Sequence, residues 1–145
     1  MISHLLRVAH SQLREAAKRG SKIGQLLTNE PARSPRWPKV ERAFKTLHPL
    51  CAACGGDERL NVHHKKPFHL DPALELDNRN LITLCMGKLE CHLRIGHGDN
   101  FKAYNPDVEA DAAKVAQLMT AATDAGLQIL WDQVRKKRQF QLEAG

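Results

Sequence analysis

Four cysteines and eight histidines carry most of the chemistry this 145-residue chain can offer, and most of them fall between residues 48 and 97. Cys51-Ala52-Ala53-Cys54-Gly55-Gly56 has the form of a metal knuckle. The C-x-x-C spacing lets both thiolates reach one ion. The glycines that follow let backbone N–H groups approach the sulfurs with no Cβ in the way. One pair does not close a tetrahedral site, and Cys85 and Cys91 are the remaining cysteines. Met86-Gly87-Lys88-Leu89-Glu90 separates them, a wider gap than the tightest zinc pattern. Four thiolates on one zinc make a closed, structural site, with binding free energies on the order of 10–16 kcal/mol in zinc peptides. The rival reading is a C-x-x-C redox pair. Such a pair opens a helix, which Gly55-Gly56 would interrupt.

The histidines form a second pattern: Asn61-Val62-His63-His64-Lys65-Lys66-Pro67, then Asp77-Asn78-Arg79-Asn80-Leu81-Ile82-Thr83-Leu84-Cys85, then Cys91-His92. Consecutive residues on a strand point to opposite faces, so His63 and His64 take different jobs. One is placed to bind an ion while its neighbour faces an attacking water. A histidine suits the second role because its pKa lies near working pH.

Knuckle, His-His, Asn-Leu, Leu-Cys and Cys-His, in that order, resemble the HNH endonuclease family. From His48-Pro49 to Asn105-Pro106 the chain is similar to small HNH proteins often encoded by phages and prophages. The resemblance implies a ββα-metal fold in which a hairpin and one helix hold a single divalent cation. It gives His63 the place of a metal ligand, His64 that of the general base, Asn80 that of the family's middle residue and His92 that of the second ligand. Nuclease colicins add a later histidine on the same helix. Here Gly96 stands one turn after His92 and His97 one step beyond, a spacing that weighs against ligation and leaves a phosphate contact as the other reading. The implied activity is phosphodiester hydrolysis to 5′-phosphate and 3′-hydroxyl ends, with Mg²⁺, Mn²⁺, Ni²⁺ or Zn²⁺ at the imidazoles. A catalytically inactive, zinc-stabilised DNA-binding module is the alternative.

The elements that must position these groups are those of an α+β chain. Ile2, Leu5, Leu6, Ala9, Leu13, Ala16 and Ala17 share one helical face, so an N-terminal helix is expected within Met1 to Lys22. Thr28 to Pro38 contains Pro31, Pro35 and Pro38 and reads as a linker, carrying Arg33, Arg36 and Trp37 with Lys39 directly after it. A short helix is expected over Val40 to Leu47, strands over Leu60 to His63 and Leu81 to Leu84, and a helix over Cys91 to Ile95 stopped at Gly96. Two further helices follow, Asp107 to Thr123 and Leu127 to Phe140, with Gly126 between them. The expected divisions are 1–47 for the N-terminal helices and linker, 48–106 for the nuclease core and 107–145 for a helical extension.

Charge narrows the partner. With 22 Lys+Arg against 16 Asp+Glu, the formal net charge is +6, which favours a polyanion because phosphate contacts release condensed counterions. Lys65, Lys66, Arg79 and Arg94 flank the histidine pattern and join Arg33, Arg36 and Lys39 as candidate DNA contacts, each with a solvated surface charge as the plainer explanation. Arg135-Lys136-Lys137-Arg138 suits a helix C-terminus. No apolar run approaches the length of a membrane span, and no secretory leader is visible. A bacterial cytoplasmic setting with reduced thiols is expected. One histidine–metal unit cuts one strand per event, so double-strand cleavage would call for a homodimer, a second binding event, or a packaging or restriction partner.

Overall fold

The computed structural model of the chain describes residues 31–121 and 124–140. The helix expected within Met1 to Lys22 lies outside them. The chain divides into two compact units, residues 1–34 and 35–145, and the second holds the elements that follow. It is mixed, with small two-stranded sheets among helices.

Helix α1 spans Trp37–Leu47 and begins three residues before the expected Val40. Pro38 sits in its first turn, where the missing N–H costs nothing and the fixed φ favours the helix. Phe44 is its buried residue, and the helix packs against the first strand. Strands β1 (Leu60–His64) and β2 (Leu81–Cys85) pair antiparallel, with Leu60 opposite Cys85, His63 opposite Ile82 and His64 opposite Leu81. Every residue of β2 is buried, as its unbroken apolar run requires. The loop joining them folds into two short 3₁₀ turns, Pro72–Leu74 and Asn78–Asn80. Asp77 caps the second by accepting from the Arg79 N–H at 2.9 Å.

Cys91 leads into a π-helical turn over His92–Gly96 where an ordinary helix was expected. Helix α2 spans Val108–Thr120 and α3 spans Asp124–Lys137. Gly126 therefore lies inside α3 rather than between helices. A helical glycine costs about 1 kcal/mol relative to alanine. Leu127, Leu130, Trp131 and Val134 are buried at i, i+3, i+4 and i+7, and that apolar stripe outweighs it. The chain leaves the helix after Lys137. Gln139–Phe140 (β4) pairs antiparallel with Ala103–Tyr104 (β3), so the expected helix does not reach Phe140.

Leu84, Ile95, Val108, Val115 and Val134 are the largest fully buried apolar side chains. They join the hairpin, the π turn and both long helices in one core. A polar brace runs through it. Asp111 is fully buried and accepts from Asn105 Nδ2 at 2.8 Å and from Lys114 at 3.2 Å, and it also pairs with Lys137. The Asn105 N–H in turn donates to the Gly96 carbonyl at 2.9 Å. Among the described residues no helix is long and apolar enough to cross a membrane.

Candidate metal centres

The four cysteines converge: their sulfurs all lie within 4.8 Å of one another, and none forms a disulfide. The knuckle is built as its sequence suggests. The Cys51 N–H donates to the Gly56 carbonyl at 2.8 Å, and the Gly55 N–H to the Cys51 carbonyl at 2.9 Å. Gly55 takes φ +72°, a left-handed conformation that glycine adopts without steric cost. Ala52 donates to the Thr83 carbonyl at 2.9 Å, tying the knuckle to β2, whose last residue is Cys85. Cys91 opens the turn that follows.

The geometry suits one tetrahedral ion. Cys54 Sγ and Cys85 Sγ stand 3.6 Å apart, while sulfurs about 2.3 Å from zinc at tetrahedral angles would be about 3.8 Å apart. Another thiol contact joins Cys51 to Cys91. Cys54 also contacts Cys51 within the C-x-x-C pair, so thiol contacts run both within the knuckle and across to Cys85 and Cys91. The hydrogen bond from Cys91 holds Cys51 down at about 4. That same bond, with burial and the nearby charges, pushes Cys91 far up, and burial raises Cys54 to about 11. Four thiols this close do not all ionise on their own; a dication supplies the missing charge. The cluster can hold a metal such as zinc.

Three histidines form a second set. One ring nitrogen from each of His63, His92 and His97 falls within 4.8 Å of the others. Ring centroids are 5.1 Å apart for His63 and His92, 4.9 Å for His63 and His97, and 5.0 Å for His92 and His97. His63 is only 4% exposed, and its Nε2 is buried without a hydrogen-bond partner. Such an orphan is costly unless something binds it. Burial first, then the neighbouring imidazoles, hold His63 well below the usual histidine value. His92 is lowered to about 4 by burial and by His97. Burial lowers His97 too, against the opposing effect of its bond to Ala103. All three are neutral near pH 7 and offer lone pairs. His97 Nδ1 donates to the Ala103 carbonyl at 2.7 Å, which fixes the proton there and leaves Nε2 as the donor atom.

The π turn explains how His97 arrives. On an α-helix a residue five positions on is rotated by about 140° from the first. In a π turn, whose wider winding has bonds running i→i+5, it comes back to the same face as the first. Gly96 makes room: a Cβ there would stand 3.0 Å from His63 Cε1 and 3.1 Å from its Nδ1.

His64, the next residue on β1, is held apart from this set. Its Nε2 bonds to the Glu75 carbonyl at 3.0 Å, and its ring lies 4.4 Å from that of Trp37. A carbonyl only accepts, so Nε2 carries the proton and Nδ1 the lone pair of the neutral ring. Asn80 closes the loop that supplies Glu75. Its Oδ1 accepts from the Lys66 N–H at 2.8 Å, and its Nδ2 donates to the carbonyls of Lys66 at 3.1 Å and Leu74 at 3.2 Å. Asn78 is exposed.

The basic residues are placed as follows. Lys65 pairs with Glu109 at 2.7 Å, Lys66 with Asp71 at 2.9 Å and Arg79 with Asp77 at 2.8 Å. The Arg94 guanidinium lies 5.8 Å from the Trp131 ring centre and 3.8 Å from Glu90. Arg36 and Lys39 are exposed at the start of α1, and Arg33 is exposed in the first unit. Trp37, expected in the linker, opens α1 instead and packs against His64; its sequence signal is a large ring directly before the Pro38 of the first turn.

Comparison with family models, with curated proteins and with solved structures returns no match to this chain.

Proposed function

We propose that this chain is a metal-dependent DNA endonuclease of the HNH type, built on a ββα-metal core with a structural zinc at Cys51, Cys54, Cys85 and Cys91. One observation carries the reading: a buried, unpartnered His63 nitrogen is gathered with His92 and His97, and the next residue, His64, is fixed separately by a backbone carbonyl. Three neutral imidazoles beside an all-thiolate site divide the metals into one open and one closed position, the division between catalytic and structural sites.

A divalent cation at His63, His92 and His97 supplies Lewis-acid stabilisation of charge on the scissile phosphate. The chain's own residues do the rest. His64 takes a proton from water at Nδ1, its Nε2–H held on the Glu75 carbonyl. Asn80 keeps that carbonyl in place through three bonds to the loop. Lys65, Lys66 and Arg79 exchange exposed acid partners for phosphates, a small loss because exposed pairs contribute about 0–1 kcal/mol each. Products carry 5′-phosphate and 3′-hydroxyl ends, one strand being cut per event.

The test is plasmid nicking by the zinc-loaded full chain with Mg²⁺ or Mn²⁺. Conversion of supercoiled to open-circular DNA is expected. A pure, zinc-loaded preparation that leaves supercoiled DNA intact with every divalent metal favours an inactive DNA-binding module instead.

A further inference from the structure

The His63–His92–His97 set has an aromatic neighbour that the reading above does not use. Phe101 is 55% exposed, yet its ring centre lies 5.0 Å from that of His97 and 6.1 Å from that of His92. The loop that carries it is tightly held. Asn100 donates to the His97 carbonyl at 3.1 Å, Ala103 to the Asn100 carbonyl at 2.8 Å, and Lys102 to Asn100 Oδ1 at 2.9 Å. Arg135 grips Asp99 at 2.6 Å. Asp99 takes φ +65°, a conformation that costs a non-glycine residue energy and persists only when its surroundings enforce it. A large apolar ring thus stands in solvent on a braced loop beside His92 and His97, with Lys102 exposed next to it in sequence.

We propose that Phe101 is a stacking platform for an unpaired nucleobase adjacent to the phosphate bound at His63, His92 and His97, so that the preferred substrate is single-stranded or frayed DNA. This rests on the nuclease reading for the placement of the phosphate. In an intact duplex both faces of every internal base are covered by its neighbours, so Phe101 gains contact only where a base is unstacked. Aromatic side chains hold such bases irrespective of sequence, and the exposed Lys102 next in sequence adds a charge that suits a phosphate backbone.

The experiment measures binding of a single-stranded oligonucleotide and of the same sequence as a blunt duplex. It uses the zinc-loaded full chain with Mn²⁺ in a His64→Ala background, with 2-aminopurine fluorescence reporting stacking. Phe101→Ala is expected to weaken single-strand binding about five- to a hundredfold and to abolish the quenching, leaving duplex binding within about twofold. Phe101→Trp is expected to retain single-strand binding, and Phe101→Leu is not. Equal loss on both DNA forms, no loss on either, full rescue by leucine, or a parallel loss of Mn²⁺ affinity each overturns the proposal, the last by making the ring a shield for the imidazoles. Because the readout is binding, it decides the stacking role even if the wild-type protein cuts nothing, a result that would sink the nuclease reading by itself.

Discussion

The imidazole of His63 packs directly on the backbone of Gly96, so closely that an added Cβ would stand 3.0 Å from Cε1 and 3.1 Å from Nδ1. These contacts are tighter than ordinary van der Waals distance, and the ring is buried on its other sides. Gly96→Ala is therefore expected to turn His63 out of the cluster. Loss of a group that orients a metal ligand costs about 10- to 100-fold in affinity. Isothermal titration with Mn²⁺ should show that drop while the zinc content stays at that of the wild type. Wild-type Mn²⁺ affinity would mean that the ring does not need this space.

Removing any one thiolate should be far more damaging. Cys91→Ser, or a strong chelator, takes away a binding free energy on the order of 10 kcal/mol, comparable with the whole stability of a small domain. Circular dichroism is expected to show unfolding in parallel with zinc release. A folded, zinc-free protein would contradict a structural role for the four cysteines.

Asn80 makes three hydrogen bonds with its side-chain amide, all to the loop that presents Glu75 to His64. Asn80→Ala leaves the Lys66 N–H and two carbonyls without these partners, and such losses cost about 1–3 kcal/mol. Urea unfolding should register that loss. On the nuclease proposal, nicking should fall further than stability alone explains, because His64 is no longer held in register.

Asp111 sets an acid limb to stability. Burial pushes its carboxyl up, but the bonds from Lys137, Asn105 and Lys114 together outweigh burial and hold it below the ordinary 3.8. A carboxyl lowered by folding contributes stability that is complete above the unfolded-state value and is lost as pH falls through the folded one. Asp111→Asn should therefore be less stable than wild type near neutral pH, with the gap closing below pH 3.8. A gap that does not change with pH would show that the charge on Asp111 contributes nothing.

Much of the site could be read from residue types, because its chemistry is local in sequence. C-x-x-C-Gly-Gly dictates a knuckle, and the apolar runs around His63 and Leu81 form strands that extend one residue beyond those expected, to His64 and Cys85. What escaped the sequence depends on tertiary packing or on unusual backbone. The spacing of His92 and His97 weighs against shared ligation on an α-helix. The π turn removes that objection, and nothing in Leu93-Arg94-Ile95-Gly96 announces it except the glycine that His63 requires. Gly126 reads as a break between helices, but the buried stripe from Leu127 to Val134 carries the helix through it. Gln139–Phe140 reads as the end of a helix and becomes a strand because Ala103–Tyr104 offers it a partner. The side chain covering His64 comes from Trp37, 27 positions away, and no local pattern predicts that contact.

The most direct measurement is the nicking rate of His64→Ala beside wild type, with zinc and Mn²⁺ content determined on the same samples. General-base catalysis contributes about 10²–10⁴-fold. The variant is expected to bind both metals as wild type does and to nick at least a hundredfold more slowly. Unchanged nicking by a fully metal-loaded His64→Ala protein would contradict the account.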